Sequence, residues 1–112
     1  MESILTSIKK QLGYEAEETG FDDEIITHIN TVLSDLTQLG VGPPEGFEIE
    51  DETSIWTDFI PDMRKFNSVK TYIYMRVKLI FDSSTMSSAL IESFNRQIDK
   101  FEWRLNHAAE FE

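Results

Sequence analysis

The sequence predicts an all-α protein, a small four-helix bundle with a long irregular acidic loop between its second and third helices. Apolar residues recur at helical spacing in four segments, and glycine, proline or short polar turns separate those segments. One separating stretch, 41–62, is rich in acids and contains no base. A chain of 112 residues has the size of one domain, so we expect a single domain over residues 1–112. The helices are expected at about 3–12, 23–39, 62–81 and 86–108.

The first two helices carry terminal signals as well as apolar stripes. Gly13 is placed to end the first helix, and Gly40 to end the second. Asp22 is the expected N-cap of the second helix, because its carboxylate can accept from the first unpaired amides. Phe21 and Ile26 are spaced to form a hydrophobic staple across that cap.

The stretch 41–62 mixes acids with large apolar residues. Gly42 and the two prolines after it exclude regular structure at its start. The alternation in Phe47–Glu50 is compatible with a short strand, and Ile55–Ile60 with one helical turn that plugs the core. We expect aromatic anchors in an otherwise exposed loop, with a protein-binding patch as the alternative.

The third helix is apolar over most of its circumference, which is typical of a helix at the centre of a bundle or in a subunit interface. Asp62 is its expected cap, and its main stripe comprises Phe66, Val69, Ile73, Val77 and Ile80. The fourth helix has near-heptad spacing, which predicts an antiparallel pair joined at Ser83–Thr85. Its stripe comprises Leu90, Phe94, Ile98, Phe101, Leu105 and Ala108.

Charge is distributed unevenly along a chain of net charge −11. Residues 1–62 hold 15 acids against Lys9 and Lys10, whereas residues 63–112 hold 6 acids and 8 bases. The excess of acid argues against a protein that grips nucleic-acid phosphates. An acidic half joined to a mildly basic half suits head-to-tail assembly, although a solvated acidic face that maintains solubility is the simpler explanation of this feature.

No catalytic, cofactor or metal constellation is predicted. Glu24 and His28 share a helix face but are expected to be an exposed pair, and His107 is expected to have no catalytic role. Nucleotide-binding, calcium-loop and nucleophile-elbow motifs do not occur. The chain contains no cysteine, no apolar run of membrane-spanning length and no recognisable signal peptide. We therefore expect a protein that is not an enzyme, with no cofactor and no membrane association.

Two groups of residues suggest contacts with partners. Tyr72, Met75 and Arg76 cluster on the third helix, and such residue types are enriched at interfaces. Tyr74 and Lys78 lie away from its main stripe and are expected on the surface. Trp103 lies off the stripe of the fourth helix, where it is either exposed for a partner or covers the long loop.

Four segments together resemble the adaptor proteins of the head-to-tail connector of long-tailed bacteriophages. They are Ile4–Gly13, the helix ending Leu36–Gly42, Lys70–Asp82 (KTYIYMRVKLIFD) and Phe101–Asn106. The resemblance covers about residues 3–106. It implies a small helical protein that is not an enzyme and forms a ring, a dodecamer in the virion, beneath the portal protein. Such a ring joins the portal to the next connector component and continues the channel through which the genome passes.

The resemblance also implies a location at the head–tail interface of a virion assembled in the host cytoplasm, and it suggests sites. The loop residues Glu45, Glu48, Glu50, Asp51 and Glu52 are candidates to face the channel or a neighbouring subunit. Candidates for the subunit interface are Arg64, Lys65, Tyr74, Arg76, Lys78 and Arg96. Candidates for portal docking are Trp103, Asn106, His107 and Phe111, within or next to the C-terminal segment 106–112. The main rival is an acidic DNA mimic that inhibits a nucleic-acid-binding protein, and a metal-assisted hydrolase is a weaker one.

Overall fold

The computed structural model describes residues 3–61 and 66–110, with the backbone alone for Phe66 and residues 106–110. In these residues the architecture is helical, and the sole strand-like pairing is an isolated antiparallel bridge between Ser3 and Ile55. The helices are α1 (Ile4–Leu12), α2 (Asp22–Gln38), α3 (Trp56–Phe59), α4 (Phe66–Asp82) and α5 (Ser88–Glu110). The prediction of an all-α fold is confirmed, with four long helices and one single turn.

The ends of α1 and α2 follow from local hydrogen bonding. The Ser3 hydroxyl accepts from the Thr6 amide at 3.2 Å and caps α1, and Gly13 ends that helix with a φ of 97°. At the end of α2 the amides of Gly40 and Val41 donate to the carbonyls of Thr37 and Leu36. This is a Schellman motif, and it confirms Gly40 as the terminator.

The predicted cap of α2 was wrong. Asp22 is the first residue of the helix, and Phe21 occupies the N-cap without a side-chain hydrogen bond. The predicted hydrophobic staple is wrong as well, because it required Phe21 to precede the cap residue and Phe21 is itself the N-cap. Asp22 Oδ1 lies 2.8 Å from Lys9 Nζ, and the Lys9 side chain is almost wholly buried. A buried ammonium requires a charged partner, so Asp22 ties α2 to α1 instead of capping its own helix.

Helix α4 lies at the centre of the molecule, as its apolar circumference predicted, and packs against α1, α2 and α5. Tyr72, Ile73 and Val77 are fully buried in its middle. Two stripe residues were wrongly expected in the core, since Ile80 is 43% exposed and Leu90 is 41% exposed. Both lie where the chain turns from α4 to α5, beyond the stretch in which the helices cover each other's stripes.

The boundaries of the last two helices differ modestly from those predicted. Helix α4 is described from Phe66, and the expected cap Asp62 lies outside the described residues. The turn at Ser83–Thr85 is a single 3-10 turn, which confirms its predicted place. Helix α5 begins two residues later than predicted and continues through Glu110, so the backbone of 106–110 is helical instead of a tail.

The long segment before α4 is fixed to the core by its apolar residues. Trp56 and Phe59 are each 1% exposed, and Trp56 Nε1 donates to the Ser7 hydroxyl at 2.9 Å. The helical turn expected at Ile55–Ile60 is confirmed as α3, with the Asp58 carboxylate accepting from the Ile55 amide at 3.1 Å. The strand considered for Phe47–Glu50 is absent, yet Ile49 is buried. The anchoring aromatics in an exposed loop are therefore confirmed.

Candidate interaction surfaces

The five predicted loop acids all lie on the surface of the molecule, although their backbone is held in place. They are Glu45, Glu48, Glu50, Asp51 and Glu52. The side chain of Asn30, on α2, accepts from the Ile49 amide at 2.8 Å and donates to the Ile49 carbonyl at 3.0 Å. These two hydrogen bonds satisfy the amide and carbonyl of Ile49, as a neighbouring strand would otherwise do. The backbone at Ile49, between Glu48 and Glu50, is therefore held against α2.

The turn that follows Glu50 is ordered by its own side chains. The Asp51 carboxylate accepts from both the amide and the hydroxyl of Thr53. These hydrogen bonds, the hydroxyl first, lower the pKa of Asp51 below its ordinary value of 3.8. Asp51 is fully exposed, so its carboxylate remains charged and hydrated at neutral pH.

An open polar groove runs between the loop and α2. It has a volume of about 450 Å³ and is lined by Thr27, Asn30, Thr31, Ser34, Asp35 and Glu48. Hydroxyl, amide and carboxylate groups dominate its walls. Within residues 3–61 and 66–110, no group of three or more His, Asp or Glu side chains is arranged to hold a metal ion.

A charged network joins three helices across the middle of the fold. Arg76 donates to Asp35 at 2.7 Å and to the Tyr72 hydroxyl at 2.7 Å. The Tyr72 hydroxyl in turn donates to Glu102 at 2.7 Å, and Arg76 lies 3.7 Å from the same carboxylate. Residues of α2, α4 and α5 are therefore connected through one guanidinium and one phenol.

The network shifts the titration of its members. Burial, together with the hydrogen bond to Glu102, raises the pKa of Tyr72 well above its ordinary range. Burial disfavours the charged form of Arg76, but the hydrogen bonds to Asp35 and Tyr72 outweigh it and leave its pKa raised. The phenol stays protonated and the guanidinium stays charged across the range in which proteins work.

The residues predicted for a subunit interface fall into different environments. Arg76 is engaged inside the chain by the network just described. Tyr74, expected on the surface, is half-buried with its ring centroid 6.2 Å from that of Phe94, because α5 covers that side of α4. Lys78 is also partly buried and lies 3.5 Å from Asp82. Arg96 is exposed, and Arg64 and Lys65 lie outside the described residues.

The residues predicted for portal docking are described only in part. Trp103 is 65% exposed, the largest exposed fraction among the exposed large apolar side chains of the described chain. The side chains of Asn106 and His107, and all of Phe111, lie outside the described residues. Their role in docking stays a prediction.

Sequence reasoning missed two features. One is the Asn30–Ile49 pairing, for which the available signal was an amide residue between buried positions of α2. The other is an aromatic cluster in which the rings of Tyr14, Phe21 and Phe81 contact one another and His28 packs on Phe81. Tyr14 and Phe21 flank the α1–α2 connection, but nothing in the sequence indicated that the end of α4 would meet them there.

The described part of the chain contains no helix with the length and apolarity needed to span a bilayer.

Fold and surfaces together define a small all-helical protein whose distinguishing features are charged and aromatic faces. A family model described as phage connector protein matches residues 4–112. The chain therefore belongs to the phage connector protein family, whose role is structural, in the virion. Neither the search of curated proteins nor that of solved structures returned a significant match.

Proposed function

We propose that this protein forms a ring beneath the portal at one capsid vertex, joins the phage head to the tail and continues the DNA channel. Membership of the connector family supports a structural role at that junction in general. The observation that carries the finer proposal is the exposed acidic loop held against α2 by Asn30. Exposed carboxylates suit the wall of a DNA conduit, because they do not bind phosphates.

The physical reason is electrostatic. DNA carries one phosphate charge per about 1.7 Å of helix axis, and a basic wall would bind it strongly. The loop acids Glu45, Glu48, Glu50, Asp51 and Glu52 present carboxylates without an intervening base. Arranged around a channel, they repel the passing genome, which then moves through without specific binding. In the alternative placement the same loop faces a neighbouring subunit.

The proposed partners are the portal protein above, the next connector or tail-completion protein below, and other copies of the chain. The C-terminal segment 106–112, with the exposed Trp103 before it, is the candidate for docking on the portal. Exposed aromatic side chains are common anchors of protein interfaces. Assembly in the host cytoplasm and a twelve-subunit ring in the virion belong to the same proposal.

The test is binding of the purified protein to DNA-filled, tailless heads with an exposed portal vertex, viewed by electron microscopy. Added density at that one vertex is the expected result, and its symmetry gives the number of subunits. A folded protein that leaves the vertex bare at several salt concentrations would overturn the proposal. Salt-sensitive binding to a basic protein would then favour the DNA-mimic inhibitor.

Two variants test the placements. Reversal of charge at Glu50 and Asp51 is expected to reduce infectivity, with Thr53→Val, which removes a hydrogen bond of Asp51 without changing charge, as the control. Unchanged assembly and infectivity would remove the loop from the channel or contact role. Truncation after Leu105 is expected to prevent joining of tails to heads, and a truncated chain that still joins them would remove the docking role.

A further inference from the structure

The aromatic cluster is only partly covered by the fold. Phe21 is 49% exposed, and its ring centroid lies 5.9 Å from that of Tyr14 and 5.7 Å from that of Phe81. Ile80, next to Phe81 in the chain, is 43% exposed. We call Tyr14, Phe21, Ile80 and Phe81 the aromatic patch. Clustered exposed apolar side chains of this kind mark contact surfaces more often than scattered ones.

Acidic residues flank Phe21 on both sides in the sequence. The exposed ones are Glu15, Glu17, Glu18, Asp23 and Glu24. Of the two bases in this half of the chain, Lys9 is buried against Asp22 and the Ala16 carbonyl, and Lys10 is exposed. The rim is therefore strongly negative, and its complement is a basic surface that also offers an aromatic side chain.

Such a surface is present on α5 of the same protein. Arg96, Lys100, Trp103 and Arg104 are all exposed, and their spacing places them on one side of the helix, opposite the buried Ile98 and Leu105. We call these four residues the basic face. Asp99 is the exposed acid among residues 95–105, so the basic face keeps a net positive charge.

The two surfaces lie toward opposite ends of the α4–α5 pair. Tyr74 packs on Phe94 and Tyr72 bonds to Glu102, so the helices run antiparallel and Trp103 is level with the beginning of α4. Phe81 lies at the other end of α4. At a rise of 1.5 Å per residue, roughly 20 Å separate them along the helix axis. One copy therefore cannot satisfy both surfaces internally while α5 is docked.

We propose that the aromatic patch of one copy binds the basic face of a neighbouring copy, with Trp103 against the exposed ring of Phe21. This contact assigns Trp103 to the interface between copies and leaves the segment 106–112 for docking on the portal. This contact specifies how neighbouring copies would meet in the proposed ring, so it rests on the proposed connector function. Two different surfaces meet in it, so it is heterologous, and repetition closes a ring when the rotation between copies allows. A contact of the aromatic patch with itself would instead bring two acidic rims together, which like-charge repulsion disfavours.

Site-directed crosslinking tests the contact, because the chain contains no cysteine of its own. Thr19→Cys places a thiol beside the aromatic patch and Gln97→Cys places one beside the basic face, both at exposed uncharged positions. Mixed and treated with a flexible bis-maleimide crosslinker, these two variants are expected to give a crosslinked dimer, because a direct disulfide would require their Cα atoms to approach within about 7 Å. Thr31→Cys, exposed on α2, replaces Thr19→Cys in the matched control and is expected to give at least about tenfold less.

Charge and aromatic variants establish the chemistry of the contact. Lys100→Glu with Arg104→Glu is expected to reduce crosslinking about tenfold, and Glu17→Lys with Glu18→Lys on the other copy is expected to restore it. Trp103→Ala is expected to reduce it by a similar factor, since aromatic anchors dominate interfaces. Circular dichroism and the unfolding midpoint verify that each variant remains folded.

The crosslinking is performed both on the free protein and on heads that carry the exposed portal vertex. A Thr19–Gln97 link in either sample, with charge rescue, supports the contact. Absence of that link in both samples overturns it. If density nevertheless appears at the vertex, the connector function stands and the interface alone is wrong. A link without vertex density supports the contact between copies and overturns the proposed placement of the ring at the portal.

Discussion

The region formed by α1, α2 and α3 and the helix α5 are attached to the same central helix in different ways. Ile4, Ile8, Ile29, Leu33 and Leu36 have no exposed surface at all. In α5, Ile98 and Leu105 are the side chains counted in the core, each 6% exposed, whereas Leu90 and Trp103 are exposed. The first region makes the stable core, while α5 uses one face for attachment and leaves the other exposed.

The two tryptophans offer the sharpest test of this difference, because one lies in each region. Trp56→Ala removes a buried ring and its hydrogen bond to Ser7, and we expect a loss of about 3–5 kcal/mol in the free energy of unfolding. Trp103→Ala is expected to cost clearly less, because that side chain is 65% exposed. Urea denaturation followed by circular dichroism measures both.

A conservative variant separates the ring of Trp56 from its polar contact. Trp56→Phe keeps most of the apolar volume but removes the hydrogen bond to the Ser7 hydroxyl, and a cost of about 1 kcal/mol is expected. Equal destabilisation by Trp56→Ala and Trp103→Ala would contradict the division into a stable core and a lightly attached helix.

The second prediction concerns the attachment of the acidic loop. Asn30→Ala removes both hydrogen bonds to Ile49, whose backbone groups are then left without those partners, so we expect a loss of about 2 kcal/mol. Hydrogen exchange of the Ile49 amide is expected to accelerate strongly. Thr31→Ala, one position along α2, is the matched control, and an unchanged exchange rate in Asn30→Ala would show that other contacts hold the loop.

The third prediction addresses the link between α5 and the remaining helices. Tyr72→Phe removes the hydroxyl that joins Arg76 to Glu102. Because those two charged side chains are partly exposed, we expect a loss of about 1 kcal/mol. Amides of α5 are expected to exchange faster while those of α2 stay protected. Tyr74→Phe retains the ring that packs on Phe94 and is the control; uniform acceleration in all helices would argue against a separately released α5.

The smallest expected effect is the pH response of Asp51 in the loop. Because its pKa is lowered in the folded protein, the carboxylate favours the folded state above its ordinary pKa of 3.8. That contribution is lost as the pH falls through the lowered value. Thr53→Val removes the hydroxyl donor, so the Asp51 pKa measured by NMR titration is expected to rise toward its ordinary value. An unchanged titration would show that the amide of Thr53 alone sets it.

Periodicity and chain terminators predicted the helices because those signals are local. Gly13 and Gly40 end their helices as predicted, Val69, Ile73 and Val77 of the α4 stripe are buried, and the turn Ile55–Ile60 followed from its apolar density. Asp22 was misassigned because its partner Lys9 belongs to another helix. A cap can be recognised within a few residues of sequence, whereas an ion pair between helices depends on how those helices pack.

The same limit applies to the candidate sites. The loop acids were predicted to be exposed because acids without bases seldom bury, and this is confirmed. The engagement of Arg76 by Asp35, 41 positions away in the chain, and the meeting of Phe21 with Phe81 depend on tertiary packing. Hydrophobic periodicity reports which face of one helix is buried, so it does not indicate which residues of other helices meet that face. Surface type was therefore predictable from composition, whereas the pairing of surfaces was not.

The contact between Trp56 and Ser7 has a consequence for the order of folding. It joins residues 49 positions apart, and the Ile4 amide donates to the Ser54 carbonyl beside it. Closing a flexible loop of that length costs roughly 3 kcal/mol of chain entropy, so these contacts form late unless α2 has already shortened the path. During synthesis α1 leaves the ribosome before residues 54–56 are joined to the chain. Helix α1 therefore gains its contacts with Ser54 and Trp56 only after that later segment has been made. Truncated chains that end before Trp56 lack the hydrogen bond to Ser7.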